Sequence, residues 1–180
     1  FYKQKLPVPV AYNPEIINKI KIKRISLSLD ETCNCYCPKC RLKPLGISPA
    51  HVVLRKSLLH SLLQTKTIKD ADEFYLAGGG ELFVSKVYED FWAEEHGLKA
   101  DRVFIVTNLQ FFSLEKLAEI KKSFVNIDLT VSVDGASKET YEAIQRGGKF
   151  SVCQEKMQIV SSLRKNNELE RLNITMVVQQ

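Results

Sequence analysis

Five runs of strand-forming residues alternate with stretches that carry helix signals, and this alternation constrains the fold more than any other feature of the chain. The runs cover residues 24–29, 73–77, 102–107, 126–133 and 172–178, and they are rich in the β-branched and aromatic residues that suit a pleated surface. Between them, residues 49–64 open on Ser48 as an N-cap with Pro49 at the first helical position. Residues 85–96 stop at Gly97, residues 114–123 follow Ser113, and residues 138–145 follow Ser137. Residues 152–166 follow Ser151, with Gln154 completing a capping box. Strand–helix alternation of this kind predicts an α/β fold of parallel strands joined by right-handed crossovers. Five units make most of a barrel or of an open doubly wound sheet, and both architectures place their chemistry at the carboxyl ends of the strands.

The remaining bulk properties narrow the field. A chain of 180 residues, 44% hydrophobic and 26% charged, suits one domain with its own core. No apolar run is long enough to cross a bilayer. The net charge of +5 is spread along the chain, which gives nucleic-acid binding a weak electrostatic case. Lys39, Arg41 and Lys43 form a local cluster that suits an acidic partner or phosphate, or simply a solvated loop. Residues 1–23 are interrupted by prolines and read as a lead-in segment, irregular or with a short helix after Pro14; residues 24–180 read as the folded unit. The chain opens on Phe1 and closes on a strand-like run, so both ends read as cuts within a longer protein.

The strand ends carry the chemistry. After the first run comes Cys33-Asn-Cys35-Tyr-Cys37-Pro-Lys-Cys40, in which Cys33, Cys37 and Cys40 are spaced C-x3-C-x2-C. Three thiolates so placed can hold three corners of a [4Fe–4S] cubane and leave the fourth iron open to a ligand. Cys35 keeps a zinc site open as an alternative, although zinc sites of this type draw two cysteine pairs from separate segments and no second pair exists here. Five cysteines is an odd count, against a disulfide framework, and the cysteine loop points to a reducing compartment, the cytoplasm. Cys153 falls in a helical stretch and reads as a small buried hydrophobe.

Gly78-Gly79-Gly80-Glu81 follows the second run; glycines let backbone approach a ligand, and Glu81 adds a carboxylate. The Rossmann and Walker spacings are both absent, and the bland reading is a tight turn. Thr107-Asn108 ends the third run, where a simple turn is the bland reading. The fourth run alternates, with Ile127, Leu129, Val131 and Val133 on one face and Asp128, Thr130, Ser132 and Asp134 on the other. Such a polar face fits a lumen that holds a cofactor, or an edge strand with one solvated side. His51, His60 and His96 read as surface or helix residues, and Tyr88, Phe91 and Trp92 as helix core.

Taken in order, the cysteine spacing, "Ser-Leu-Ser-Leu-Asp-Glu-Thr" before it, "Ala-Gly-Gly-Gly-Glu-Leu-Phe", Thr107-Asn108 and the run from Val131 through Phe150 resemble the core of the radical S-adenosylmethionine (radical SAM) enzymes, over roughly residues 24–178. The last run is similar to members related to peptide-maturing and molybdopterin-forming enzymes. The resemblance implies a partial (β/α)6-type barrel, here of about five units and without its sixth strand or any C-terminal auxiliary domain. It implies a [4Fe–4S] cluster on Cys33, Cys37 and Cys40, and S-adenosylmethionine held by Gly78, Gly79, Gly80, Glu81, Thr107, Asn108, Ser132, Asp134 and Arg146. In the family the Gly-Gly-Glu segment binds the methionyl amino group, while the residues matching Ser132 and Arg146 contact ribose and carboxylate. An arginine suits a carboxylate through paired hydrogen bonds; the bland reading of Arg146 is a charge favoured by the dipole of a helix C-terminus. The implied reaction is reductive cleavage of S-adenosylmethionine to a 5′-deoxyadenosyl radical, which takes hydrogen from a substrate, a peptide among the candidates. A one-electron reductant such as flavodoxin or ferredoxin is the implied partner. The sequence departs from the family pattern at Lys39, where an aromatic usually precedes the third cysteine, at Leu82, where proline is common, and at Leu109, where glycine is common. Those departures leave open a non-enzymatic module, zinc-stabilised or with a degenerate cofactor site.

Overall fold

The computed structural model describes residues 22–76, 79–89 and 97–177. Within them lies one five-stranded sheet: β1 (Arg24–Leu27), β2 (Glu73–Leu76), β3 (Ala100–Thr107), β4 (Phe124–Ser132) and β5 (Arg171–Thr175). All four pairings are parallel, and the spatial order follows the sequence order from β1 to β5. The order never reverses, so right-handed crossovers place the connecting helices on one face. A doubly wound sheet needs a reversal of order at a switch point; this sheet winds one way, as a barrel does.

The helices are α1 (Pro49–Leu63), the single turn α2 (Lys66–Lys69), α3 (Leu114–Lys121), α4 (Lys138–Ile144) and α5 (Phe150–Lys165), with a 3₁₀ turn at Leu82–Val84. Local chemistry starts them where the sequence indicates. Ser48, Ser113 and Ser137 accept from the backbone N–H of His51, Lys116 and Thr140 at 3.3 Å each, which satisfies donors that a helix start leaves unpaired. Helix α5 departs from expectation: it begins at Phe150, and its N-cap Lys149 makes no side-chain cap bond. Ser151 therefore lies inside the helix. The cap comes from a neighbour, because Glu142 of α4 accepts from Phe150 N–H at 3.1 Å while the Phe150 ring packs 5.5 Å from Tyr141. The predicted helix over 85–96 and any helix after Pro14 fall largely or wholly outside the described residues.

The core lies between the sheet and its helices. Phe74, Leu76, Val103, Ile105, Ile127, Leu129 and Val131 project from alternate positions into it, joined by Leu59, Leu63, Leu117, Ile120, Val160 and Leu163 of the helices. Tyr88 belongs to this core, and its hydroxyl also donates to Leu27 O at 2.9 Å and accepts from Leu29 N–H at 3.0 Å. The opposite face carries Arg24, Tyr75, Arg102, Phe104, Asp128 and Thr130. There Arg24 bonds Glu73 at 2.7 Å and lies 4.9 Å over the Phe104 ring, while Arg102 donates to Asp128 at 2.9 Å. Strand β4 is flanked by β3 and β5, so its polar face is not that of an edge strand. Among the described residues no helix is long and apolar enough to cross a membrane.

Candidate functional site

The carboxyl ends of β1 through β4 converge on one cleft. It is lined by Cys33, Cys35, Cys37, Lys39, Cys40 and Arg41 after β1, by Gly79, Gly80 and Glu81 after β2, by Val106, Thr107 and Asn108 of β3 and its loop, and by Ser132, Asp134 and Gln145 from β4 and the α4 end. Of the residues the sequence singled out, Cys33, Cys37, Cys40, Gly79, Gly80, Glu81, Thr107, Asn108, Ser132 and Asp134 meet here. Gly78 lies outside the described residues.

Arg146 does not reach the cleft. Its side chain is exposed, with Nε donating to Ala143 O of the same helix end at 3.3 Å. What the cysteine loop takes from Arg146 is its backbone: Tyr36 N–H donates to Arg146 O at 2.9 Å. The next residue, Gly147, has φ +89, and a Cβ there would stand 2.6 Å from Asn34 O. The Arg146-Gly147 peptide is thus a shelf under the loop, which only glycine at its second position permits.

The cysteine loop is fixed mainly through backbone. Cys33 N–H donates to Leu45 O at 3.0 Å, and a tight turn brings Cys40 N–H and Arg41 N–H to Cys37 O at 2.8 and 2.9 Å. Arg41 clamps the loop to two strand ends, donating to Glu31 O at 2.8 Å and to Gly79 O. Cys35 is buried beneath the loop, where Asn34 and Asn108 side-chain amides point at its sulfur at 3.3 and 3.4 Å. Its thiol donates to Cys33, which, with the nearby Arg41 charge, outweighs burial and lowers the Cys33 thiol to about 6. The same bond, followed by burial, pushes Cys35 up. Burial, then the Asp134 charge, raises Cys37.

The glycine turn packs directly against that loop. A Cβ on Gly80 would stand 2.6 Å from Thr32 O and 2.8 Å from Asp30 O, and Glu81 N–H donates to Thr32 O at 2.8 Å. Glu81 is buried, and its carboxylate accepts from Thr107 Oγ1 at 2.7 Å, Asn108 N–H at 2.7 Å and Phe83 N–H at 3.3 Å. Burial outweighs those donors and pushes its carboxyl up to about 7. Asn108 completes the link, donating to Asn34 Oδ1 at 3.0 Å. Leu109, where the family pattern favours glycine, is fully buried at φ +65; the left-handed turn is kept at a cost in backbone strain.

Two residues escaped the sequence reading. Asp30 is buried; it accepts from Thr32 N–H at 2.9 Å, Thr32 Oγ1 at 2.7 Å and Ser85 Oγ at 2.6 Å, tying the start of the cysteine loop to the segment after Glu81. Its signal was an aspartate two residues before a threonine just past a strand, the pattern of a side chain bonding its own backbone two residues on. Gln145 is buried and donates to Ser132 O at 3.1 Å. Nothing distinguished it from the arginine beside it except the helical face each occupies.

The donor set can be tested against a metal. Among the described residues no three His, Cys, Asp or Glu side chains converge on a single-ion position. A cubane takes its cysteines on separate irons, so three thiols spread around one cleft fit a cluster better than one tetrahedral zinc.

No protein-family model matches the chain, and no curated protein matches it in sequence. Solved structures do. One is a histidine-tagged anSMEcpe with bound AdoMet, at 18% identity and TM-score 0.54, covering 86% of this chain and 42% of that chain. Another is "Native anSMEcpe with bound AdoMet and Cp18Cys peptide", at 18% identity and TM-score 0.50, covering 85% of this chain and 42% of that one. The chain thus spans less than half the length of those proteins and shares the fold of that part.

Proposed function

We propose that this chain is the core of a radical SAM enzyme. It holds a [4Fe–4S] cluster through Cys33, Cys37 and Cys40, and S-adenosylmethionine beside it through Gly79, Gly80, Glu81, Thr107, Asn108, Ser132 and Asp134. The observation that carries the proposal is the convergence of all ten residues, from four strand ends, on one cleft whose lining includes the spaced thiols of Cys33, Cys37 and Cys40. The shared fold with proteins solved with AdoMet bound supports it. The chemistry such a pair supplies when bound is one-electron cleavage of S-adenosylmethionine, which yields methionine and a 5′-deoxyadenosyl radical able to take hydrogen from a substrate.

The chain's own contribution is to bind, orient and shelter. The Gly80 backbone lies flush against residues 30–32 at the start of the cysteine loop, and with Gly79 it lines the cleft with no side chain of its own. Glu81 uses three acceptor positions on Thr107, Asn108 and Phe83, which fixes its carboxylate and leaves acceptor capacity for an ammonium group. Asn108 directs its amide toward Cys35 and Cys33 and sets the depth of the loop. A peptide is the proposed substrate class, by analogy with the peptide in the second solved structure. A flavodoxin or ferredoxin is the proposed electron donor and the cytoplasm the proposed compartment, since the site needs reduced thiols.

The test is anaerobic reconstitution with iron and sulfide, read by metal analysis and electron paramagnetic resonance. The expected result is a cubane signal that shifts when S-adenosylmethionine is added. Stoichiometric zinc without iron incorporation would contradict the proposal and favour a zinc-stabilised module.

A further inference from the structure

Resting on the S-adenosylmethionine reading, one question is left open by the position of Arg146: which cation meets the ligand's carboxylate. Among the described residues the cleft is lined by two cations, Lys39 and Arg41. Arg41 is already engaged on both arms of its guanidinium, with Glu31 O and Gly79 O. Lys39 is differently placed. Its Nζ stands 2.6 Å from Asp134 Oδ2, with the Lys39 side chain 24% exposed and that of Asp134 1% exposed.

The pair has a built character. A buried carboxylate requires a countercharge, so Asp134 holds the ammonium at the rim instead of letting it run out into solvent. The other oxygen, Oδ1, accepts Val177 N–H at 3.0 Å, and Asp134 N–H meets Gln145 Oε1 at 3.5 Å. The carboxylate is therefore held on one oxygen by the Val177 N–H and faces Lys39 with the other, while Gln145 fixes the backbone beneath it. An ammonium has three N–H donors, and Lys39 lines the cleft with its Nζ in charge contact with Asp134. Ser132 lines the same wall two residues away.

We infer that Lys39, held by Asp134, is the binding residue for the carboxylate of S-adenosylmethionine, in place of Arg146. The substitution of a lysine for an aromatic before the third cysteine then changes how the ligand is gripped: by charge on its amino-acid end.

The test compares two ligands on the same preparation of cluster-loaded protein, S-adenosylmethionine and decarboxylated S-adenosylmethionine, by anaerobic equilibrium dialysis. The readout is the ratio of their dissociation constants, which cancels differences in cluster loading. Wild type prefers the carboxylate-bearing ligand. Lys39→Met shrinks that preference on the order of tenfold, the size of a lost charge-assisted hydrogen bond, while Lys39→Arg retains most of it and Arg146→Ala leaves it unchanged. Should Lys39→Met fail to take up iron, Lys39→Gln is read in the same way. An unchanged preference in the neutral Lys39 variant, or a loss in Arg146→Ala, would overturn the inference alone. Wild-type protein that carries the cluster but binds neither ligand would overturn the reading beneath it as well.

Discussion

Glu81 and Cys40 line one cleft in opposite surroundings. Glu81 is buried at the end of β2, with three donors on its carboxylate and the Gly80 backbone packed against Thr32 and Asp30. Cys40 is exposed, and its placement depends on a turn closed by Cys37 O and on the anchors of its neighbours, Lys39 on Asp134 and Arg41 on Gly79 and Glu31. One side of the rim is preformed by buried hydrogen bonds. The other is held by backbone contacts and charges and leaves its thiols available. The proposed function, which asks for fixed polar groups toward an amino-acid ligand and free sulfur toward metal, needs that division.

The comparison breaks most visibly at the sulfurs. Cys33→Ala, Cys37→Ala or Cys40→Ala each abolishes cluster incorporation, read as iron and sulfide bound per chain, whereas Cys35→Ala keeps most of it. Equal loss with Cys35→Ala would move the ligand set and collapse the distinction between buried and presented thiols.

On the preformed side the largest effect belongs to Glu81. Its folded carboxyl is raised to about 7 from an ordinary 4.5. The folded state therefore holds a proton that the unfolded state releases, and stability is lost as pH rises through that window. In the metal-free protein, wild type loses up to about 3 kcal/mol relative to Glu81→Gln between those pH values. Urea titrations of both at pH 4.5 and 8 check this; parallel pH dependence of the two proteins would show Glu81 to be ordinary.

Gly80→Ala comes next. A methyl at 2.6 Å from Thr32 O must push the glycine turn off the cysteine loop, at a cost of about 1–3 kcal/mol. It also weakens cluster retention, because the loop rests on that turn; thermal unfolding and iron release to a chelator read the two effects. The smallest effect lies away from the rim: Lys121 and Glu168 pair at 2.9 Å with side chains 33% and 45% exposed, and Lys121→Ala shifts stability by less than about 1 kcal/mol. A larger shift in the same urea titration would mean that surface charge carries more of this fold than the rim comparison allows.

Much of this was legible in sequence because the signals were local. Strand runs, serine caps and strand-end motifs each depend on a few adjacent residues, and parallel winding collects strand ends on one rim. The choice between a barrel-type and a doubly wound sheet depended on strand order, which local pattern does not encode. The start of α5 was misread because its cap comes from Glu142, eight residues earlier on another helix. The place of Arg146 was hidden for a related reason: its carbonyl and the following glycine serve the loop, its side chain lies outside the cleft, and Gln145 lines it. Asp30 was invisible as a hub because Ser85 lies 55 positions away.

The most direct test of the central claim is product formation under anaerobic conditions. The protein would be reconstituted with iron and sulfide, supplied with S-adenosylmethionine and dithionite, and assayed for 5′-deoxyadenosine by mass spectrometry. The account predicts product that disappears in the Cys33→Ala, Cys37→Ala and Cys40→Ala proteins. A loaded cluster that yields no 5′-deoxyadenosine would contradict it.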